Sequence, residues 1–237
     1  MAKLSLDDLV TQLKAAFGDD LVSVVLYGSA AGANHDPKRS DQNVLVIVKR
    51  VPMSAAKAIS ASAGAWADAG NPPPLVLTER EWKGSADIFP MEYADILDRH
   101  RVLFGSVPFD GITVGTSDLR LQLEHEAMGK LLKLRQAVLA AARDDKRLLE
   151  LMAASASSIM VIFRAVCRLH GTKPEPENER VVDQVAGLSG IDPAPFKRAL
   201  AARRGDTSVK AADAPAAVEG YVAGMEALVR HLDTFTR

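Results

Sequence analysis

Apolar residues recur along the chain with two different periods, and the change comes near residue 115. Leu6, Leu9, Val10, Leu13 and Phe17 fall on one helical face. Ser5 is placed to cap that helix, with Asp8 three positions on. Residues 21–27 and 43–48 are short, nearly continuous β-rich runs, the second apolar enough to be buried on both faces. Pro52 and Ser54 open an alanine-rich helix reaching about residue 69, which Pro72-Pro73-Pro74 ends. Leu75, Val76 and Leu77 read as a strand, and Thr78 with Glu81 has the spacing of a capping box for a short helix carrying Trp82. After Pro90, residues 91–97 read as a strand with Glu92, Ala94, Ile96 and Asp98 on one face. Val102, Leu103 and Phe104 read as a last strand, closed by Gly105.

Beyond residue 116 every apolar pattern is helical. Long helices are predicted over about 117–143 and 146–170, and shorter ones over about 178–188, from Asp192-Pro193 to Gly205, and over 214–234. The predicted class is therefore α+β, with a mixed-sheet domain over residues 1–115 and an all-α bundle over 116–237.

Composition narrows the classes. Lysine plus arginine number 29 and aspartate plus glutamate 30, so no global charge points to nucleic acid or to an anionic membrane. The one cysteine, Cys167, sits in a helical apolar pattern and reads as a small buried hydrophobe, which fits a reducing cytoplasm. Polar residues at Ser5, Asp7 and Asp8 argue against a leader. The longest apolar run, around residues 159–166, is interrupted by Arg164 and falls short of the roughly 18–20 residues that span a bilayer.

Candidate chemistry concentrates in residues 24–48. A strand ends at Gly28-Ser29, a loop passes Lys38 and Arg39, and Ser40-Asp41-Gln42-Asn43 opens the next strand. Glycine lets backbone N–H groups approach a phosphate, and serine adds a hydroxyl donor. Asp41 and Asn43 alternate along a strand, so both face the same way. These motifs, at this spacing, resemble the polymerase-β-like nucleotidyltransferase superfamily. In that family a Gly-Ser pair cradles a nucleoside triphosphate, and two aspartates one residue apart hold two magnesium ions. Here Asn43 stands at the second aspartate position. An amide offers a neutral oxygen but no charge, and one charge pair at about 4 Å is worth roughly 4 kcal/mol at an effective dielectric near 20. Phe89-Pro90-Met91-Glu92-Tyr93 resembles the strand that carries a third carboxylate in the nucleotidyltransferases that modify aminoglycosides, which makes Glu92 the candidate base or further metal ligand.

The resemblance thus implies Mg²⁺ at Asp41, Asn43 and Glu92, and catalysis by Asp41 and Glu92. It implies nucleotide contacts from Gly28, Ser29, Lys38, Arg39, Ser40 and Asn43. The implied reaction moves a nucleoside monophosphate from a nucleoside triphosphate to a hydroxyl of a small-molecule or protein acceptor. The helical half resembles the bundles that build the acceptor pocket or a homodimer interface in kanamycin-type enzymes. Neither a nucleic acid nor a membrane is expected as partner. Two other readings stay open: a nucleotide-binding or partner-binding regulator whose transfer activity Asn43 has removed, and a dimerisation module built on the long helices.

Overall fold

The computed structural model describes residues 4–31, 42–106, 109–141, 144–206 and 210–236, with the side chain of Ser29 excepted. It is an α+β fold, a four-stranded mixed sheet with helices followed by an all-helical part. The chain divides into two compact units, Met1–Gly115 and Thr116–Arg237.

The first unit begins with α1 (Leu6–Phe17), whose capping box has Ser5 and Asp8 serving each other's backbone N–H groups. Strands β1 (Leu21–Tyr27) and β2 (Asn43–Val48) pair antiparallel, with Tyr27 opposite Asn43. Helix α2 (Met53–Asp68) returns the chain so that β3 (Leu75–Thr78) pairs parallel to β2. Thr78 and Glu81 form the second capping box, which starts α3 (Glu79–Gly84). Then follow α4 (Pro90–Asp98) and β4 (His100–Gly105), the latter antiparallel to β1. The strand order is β3-β2-β1-β4.

Both sheet faces are covered, as the unbroken apolar runs of β1 and β2 require. Val24, Leu26, Val44, Val46 and Val48 pack with the apolar face of α1 and with Ala55 and Trp66 of α2. On the other face Val25, Leu45 and Ile47 pack with Trp82, Tyr93 and Ile96. Trp82 and Tyr93 stack at 4.4 Å, and the buried Tyr93 hydroxyl donates to the Trp82 carbonyl at 2.8 Å. Burial pushes the Tyr93 phenol up to about 12, so the group stays a donor at every physiological pH. Gly105 ends β4 at φ +72°, and a Cβ there would lie 1.9 Å from the Val22 carbonyl oxygen, so only glycine lets β4 close on β1.

One expected element differs. Residues 91–97 are not a strand but the helix α4. Pro90 occupies its first turn, where the missing N–H costs nothing, and Glu92 follows in that turn where the helix dipole favours an acid. Met91, Tyr93 and Ile96 are buried, Tyr93 and Ile96 against the sheet, a helical rather than an alternating pattern.

The second unit holds α5 (Thr116–Ala141), α6 (Asp145–Leu169), α7 (Asn178–Ser189), α8 (Ala194–Arg204) and α9 (Ala214–Asp233). The central helix is α6, which touches each of the other four. Taken whole, α6 is long and apolar enough to cross a membrane, contrary to the expectation from residues 159–166 alone. Half of that stretch is buried inside this bundle, the setting of a core helix. Arg164 is buried there with its charge satisfied. Its guanidinium donates to the carbonyls of Glu175 and Pro176, at 3.2 and 3.3 Å, and to the Asn178 side chain at 2.7 Å. Cys167 is a free, buried thiol raised to about 11 by burial, as its apolar pattern predicts.

At the ends of α6 and α9, His170 and His231 meet Nε2 to Nε2 at 3.0 Å with their rings 12° from parallel, and Phe235 sits edge-on to His170. Such a pair needs one nitrogen to donate and the other to accept, so it excludes a doubly charged state. Burial lowers the His231 pKa below its ordinary 6.5. The unfolded chain then binds more protons below pH 6.5 than the folded one, so stability is full above that pH and falls as acid is added. The melting temperature is expected to drop between pH 7 and 5, and His231→Asn to flatten that dependence. An equal drop in the variant would remove His231 as its source.

Candidate active site

The site forms at one end of the sheet because the register puts it there. Tyr27, the last residue of β1, faces Asn43 on β2 and His100 on β4. Immediately after Tyr27 the chain turns through a short 3-10 segment, Gly28–Ala31. Gly28 begins it at φ +77°, a backbone region that favours glycine. Its amide donates to the Arg99 carbonyl at 3.2 Å, which ties the turn to the end of α4.

Alternation along β2 places Asn43 on the face of Leu45 and Ile47, the face that α4 covers. The two elements therefore meet at Gly28. A Cβ on that glycine would lie 3.4 Å from Asn43 Nδ2 and 3.5 Å from Asp95 Oδ2. The other oxygen, Oδ1, accepts from the Arg99 guanidinium at 2.7 Å, an i,i+4 pair at the end of α4 with both side chains mostly buried. One carboxylate oxygen is thus held by a cation, and the second is turned toward the glycine turn and the asparagine.

The segment entering β2 is fastened from outside the sheet. The Gln42 amide donates to Asn71 Oδ1 at 2.9 Å, and Asn71 itself bonds the Trp66 carbonyl through its backbone N–H at 3.3 Å. Trp66, in turn, donates its indole N–H to the Pro72 carbonyl at 3.0 Å. The residue that follows Asp41 is therefore positioned by the connection between α2 and β3.

Of the sequence-derived site residues, the structure brings Gly28 and Asn43 together. Lys38, Arg39, Ser40 and Asp41 lie outside the described residues, as does His35, and so does the side chain of Ser29. Glu92 does not stand on a strand. It is exposed in the first turn of α4, and the alternation that favoured it over Asp95 does not exist. Asp95, which a regular strand would have turned away, is the acid at the glycine turn. The signal for it was present in the sequence as a helix-type pair, Asp95 with Arg99 four residues on. Nor does the strand beside β2 supply an acid, since β3 reads Leu-Val-Leu-Thr.

Among the described residues, no group of three His, Cys, Asp or Glu stands where it could hold a metal ion. The atoms nearest Gly28 are a carboxylate oxygen, Asp95 Oδ2, which is of the kind magnesium takes, and the amide nitrogen of Asn43, Nδ2, which is not a ligand atom. The carboxylate oxygen fits one position of a magnesium shell, and Asn43 would join it only through its amide oxygen. A cavity of about 590 Å³ in the helical unit, between α5 and α6, contains none of these residues.

No protein-family model matches the chain, and no curated protein sequence does. A solved structure does match. It is similar to the crystal structure of spectinomycin adenyltransferase AAD(9) from Enterococcus faecialis with ATP and spectinomycin. The TM-score is 0.56 at 11% identity, over 97% of this chain and 98% of that one. The likeness is one of fold, and it runs through the helical part as well as the sheet.

Gly28→Ala should cost about 1–2 kcal/mol, because alanine is strained at that positive φ, its Cβ meeting Asn43 and Asp95 only at ordinary contact distance. Asn71→Ala should cost a similar amount, about 1–3 kcal/mol, by leaving the Gln42 amide without its acceptor. Urea denaturation measures both, and a change under about 0.5 kcal/mol, the ordinary range for a neutral surface substitution, would contradict the geometry.

Proposed function

We propose that the chain is a nucleotidyltransferase that moves a nucleoside monophosphate from a nucleoside triphosphate to a hydroxyl of a small-molecule or protein acceptor. The observation that carries the reading is the convergence of Asn43 and Asp95 on Gly28, at the end of β1. The adenyltransferase that shares the fold binds ATP and spectinomycin, which supports a nucleotide and a small molecule as the two substrates here.

In this reading the backbone of the Gly28 turn, with Ser29 and Ser40, receives the phosphates. Lys38 and Arg39 add charge-assisted contacts to them. Asp41, Asn43 and Asp95 would hold Mg²⁺, with Asp95 in the place first given to Glu92. When bound, magnesium supplies positive charge against the triphosphate. Arg99 fixes the Asp95 carboxylate through Oδ1, so that Oδ2 keeps its aim at the turn. The acceptor's hydroxyl proton passes to a carboxylate at this point. The oxygen then attacks the α-phosphorus, and pyrophosphate leaves with the electrons of the broken bond.

A second reading is favoured by two observations on the same residues. Asn43 is neutral, and Arg99 offsets the charge of Asp95. Both weaken the hold on a divalent ion. A protein of this kind would bind a nucleotide without transferring it.

Pyrophosphate release from ATP, with spectinomycin as the first acceptor and with or without magnesium, separates the readings. The transferase reading expects magnesium-dependent release that Asp41→Asn and Asp95→Asn each lower by at least about 100-fold. Nucleotide binding by calorimetry with no release, and release that appears only in Asn43→Asp, would establish the second reading instead.

A further inference from the structure

The cavity between α5 and α6, about 590 Å³, has the size of a small-molecule site, roughly 300–1,000 Å³. Small side chains open it. Ala137 and Ala140 on α5 face Ala154 on α6 across it, and the buried Leu134 and Ile159 form its apolar floor. Its charges are not spread evenly. Three bases, Lys130, Lys133 and Arg147, line it against one acid, Glu150. The two helices are joined by a tight turn, in which the Asp144 amide donates to the Ala141 carbonyl at 3.1 Å, so they run antiparallel. Equal counts back and forward from that turn bring Lys130 and Lys133 to the level of Ser155 and Ser158, and Arg147 to the level of Ala140. Arg147 and Glu150 offset each other at the turn end. The two lysines at the far end have, among the described residues, no acid within ion-pair distance.

The serines beside those lysines have no proton to offer a ligand. Ser158 donates its hydroxyl to the Ser155 carbonyl at 2.9 Å, and Ser155 donates to the Met152 carbonyl at 3.0 Å. The hydrogen bond of 3.0 Å between Ser155 and Tyr221 is then donated by the tyrosine, whose phenol burial pushes up to about 12. An anion at this end is therefore held by the two ammonium groups alone. A phosphate site ordinarily adds backbone N–H, hydroxyl or guanidinium donors. Two lysines match the two oxygens of a carboxylate. An amine-bearing acceptor of the aminoglycoside kind would meet like charge here. We propose that this cavity is a binding site for an amphipathic carboxylate, its head between Lys130 and Lys133 and its apolar body lying over the alanines toward the turn. The proposal does not rest on the transferase reading, and neither substrate of that reaction enters its test.

The probe is 8-anilinonaphthalene-1-sulfonate, an aromatic anion whose fluorescence rises in apolar surroundings, titrated onto the full chain. Saturable binding is expected, with dodecanoate displacing the probe and dodecyltrimethylammonium, of equal chain length and opposite charge, failing to do so. Lys130→Glu combined with Lys133→Glu should weaken dodecanoate by at least about 10-fold, from two reversed charges near the surface, with an unchanged circular dichroism spectrum. The neutral pair Lys130→Gln with Lys133→Gln should give an intermediate loss, and serves if the double reversal disturbs the fold. Ala154→Trp, at an exposed position, should fill the cavity and abolish displacement. No binding by the native chain would overturn the proposal. Equal displacement by the cationic amphiphile, or unchanged affinity in both lysine pairs, would overturn it by showing that charge selects nothing. Binding that survives Ala154→Trp would place the ligand on another apolar surface and overturn the site. Dodecyl phosphate competing better than dodecanoate would overturn the carboxylate.

Discussion

The antiparallel pairing of β1 with β2 is the constraint on which the N-terminal unit turns. Their register sets the last residue of one strand against the first residue of the other, Tyr27 against Asn43. A slip of a single residue would send Asn43 to the face of α1 and α2 and bring Val44 to the mouth of the turn. The slip is blocked by two hydrocarbon layers. Val24, Val44 and Val46 are committed to one face and Val25, Leu45 and Ile47 to the other, all of them fully or almost fully buried. Core packing and site geometry are in this sense one interaction seen from two sides.

Much of this was legible in the residues because it rests on local rules. Both capping boxes, at Ser5 and Thr78, read directly from spacing, and the structure forms both. The five helices of the bundle follow from uninterrupted 3.6-residue periodicity, with ends displaced by only a few residues from those expected. Gly28 and Asn43 were legible because strand ends and alternation fix where a side chain goes.

The segment after Pro90 was misread for an equally physical reason. Over nine residues, Ile96 fits both a period of two and a period of 3.6, and the alternation of Glu92, Ala94, Ile96 and Asp98 reads as a strand. Position-specific chemistry pointed the other way, with proline at the start, an acid in the first turn, and an acid–base pair four apart at Asp95 and Arg99. Changing the element rotates the side chains by its own period, so the different placements of Glu92 and Asp95 have one origin. Tertiary ties such as Gln42 to Asn71 join residues 29 positions apart, and no local pattern announces them.

That last tie has an architectural consequence. The chain between the Gly28 turn and Gln42 starts and finishes at anchored points, one bonded to Arg99 and the other to Asn71. The end of β1 and the start of β2 are thus each held by a different part of the chain, β1 through Arg99 and β2 through Asn71. Cutting either tie would loosen one strand end while the other stays fastened, so the two ends of the turn can be uncoupled one at a time.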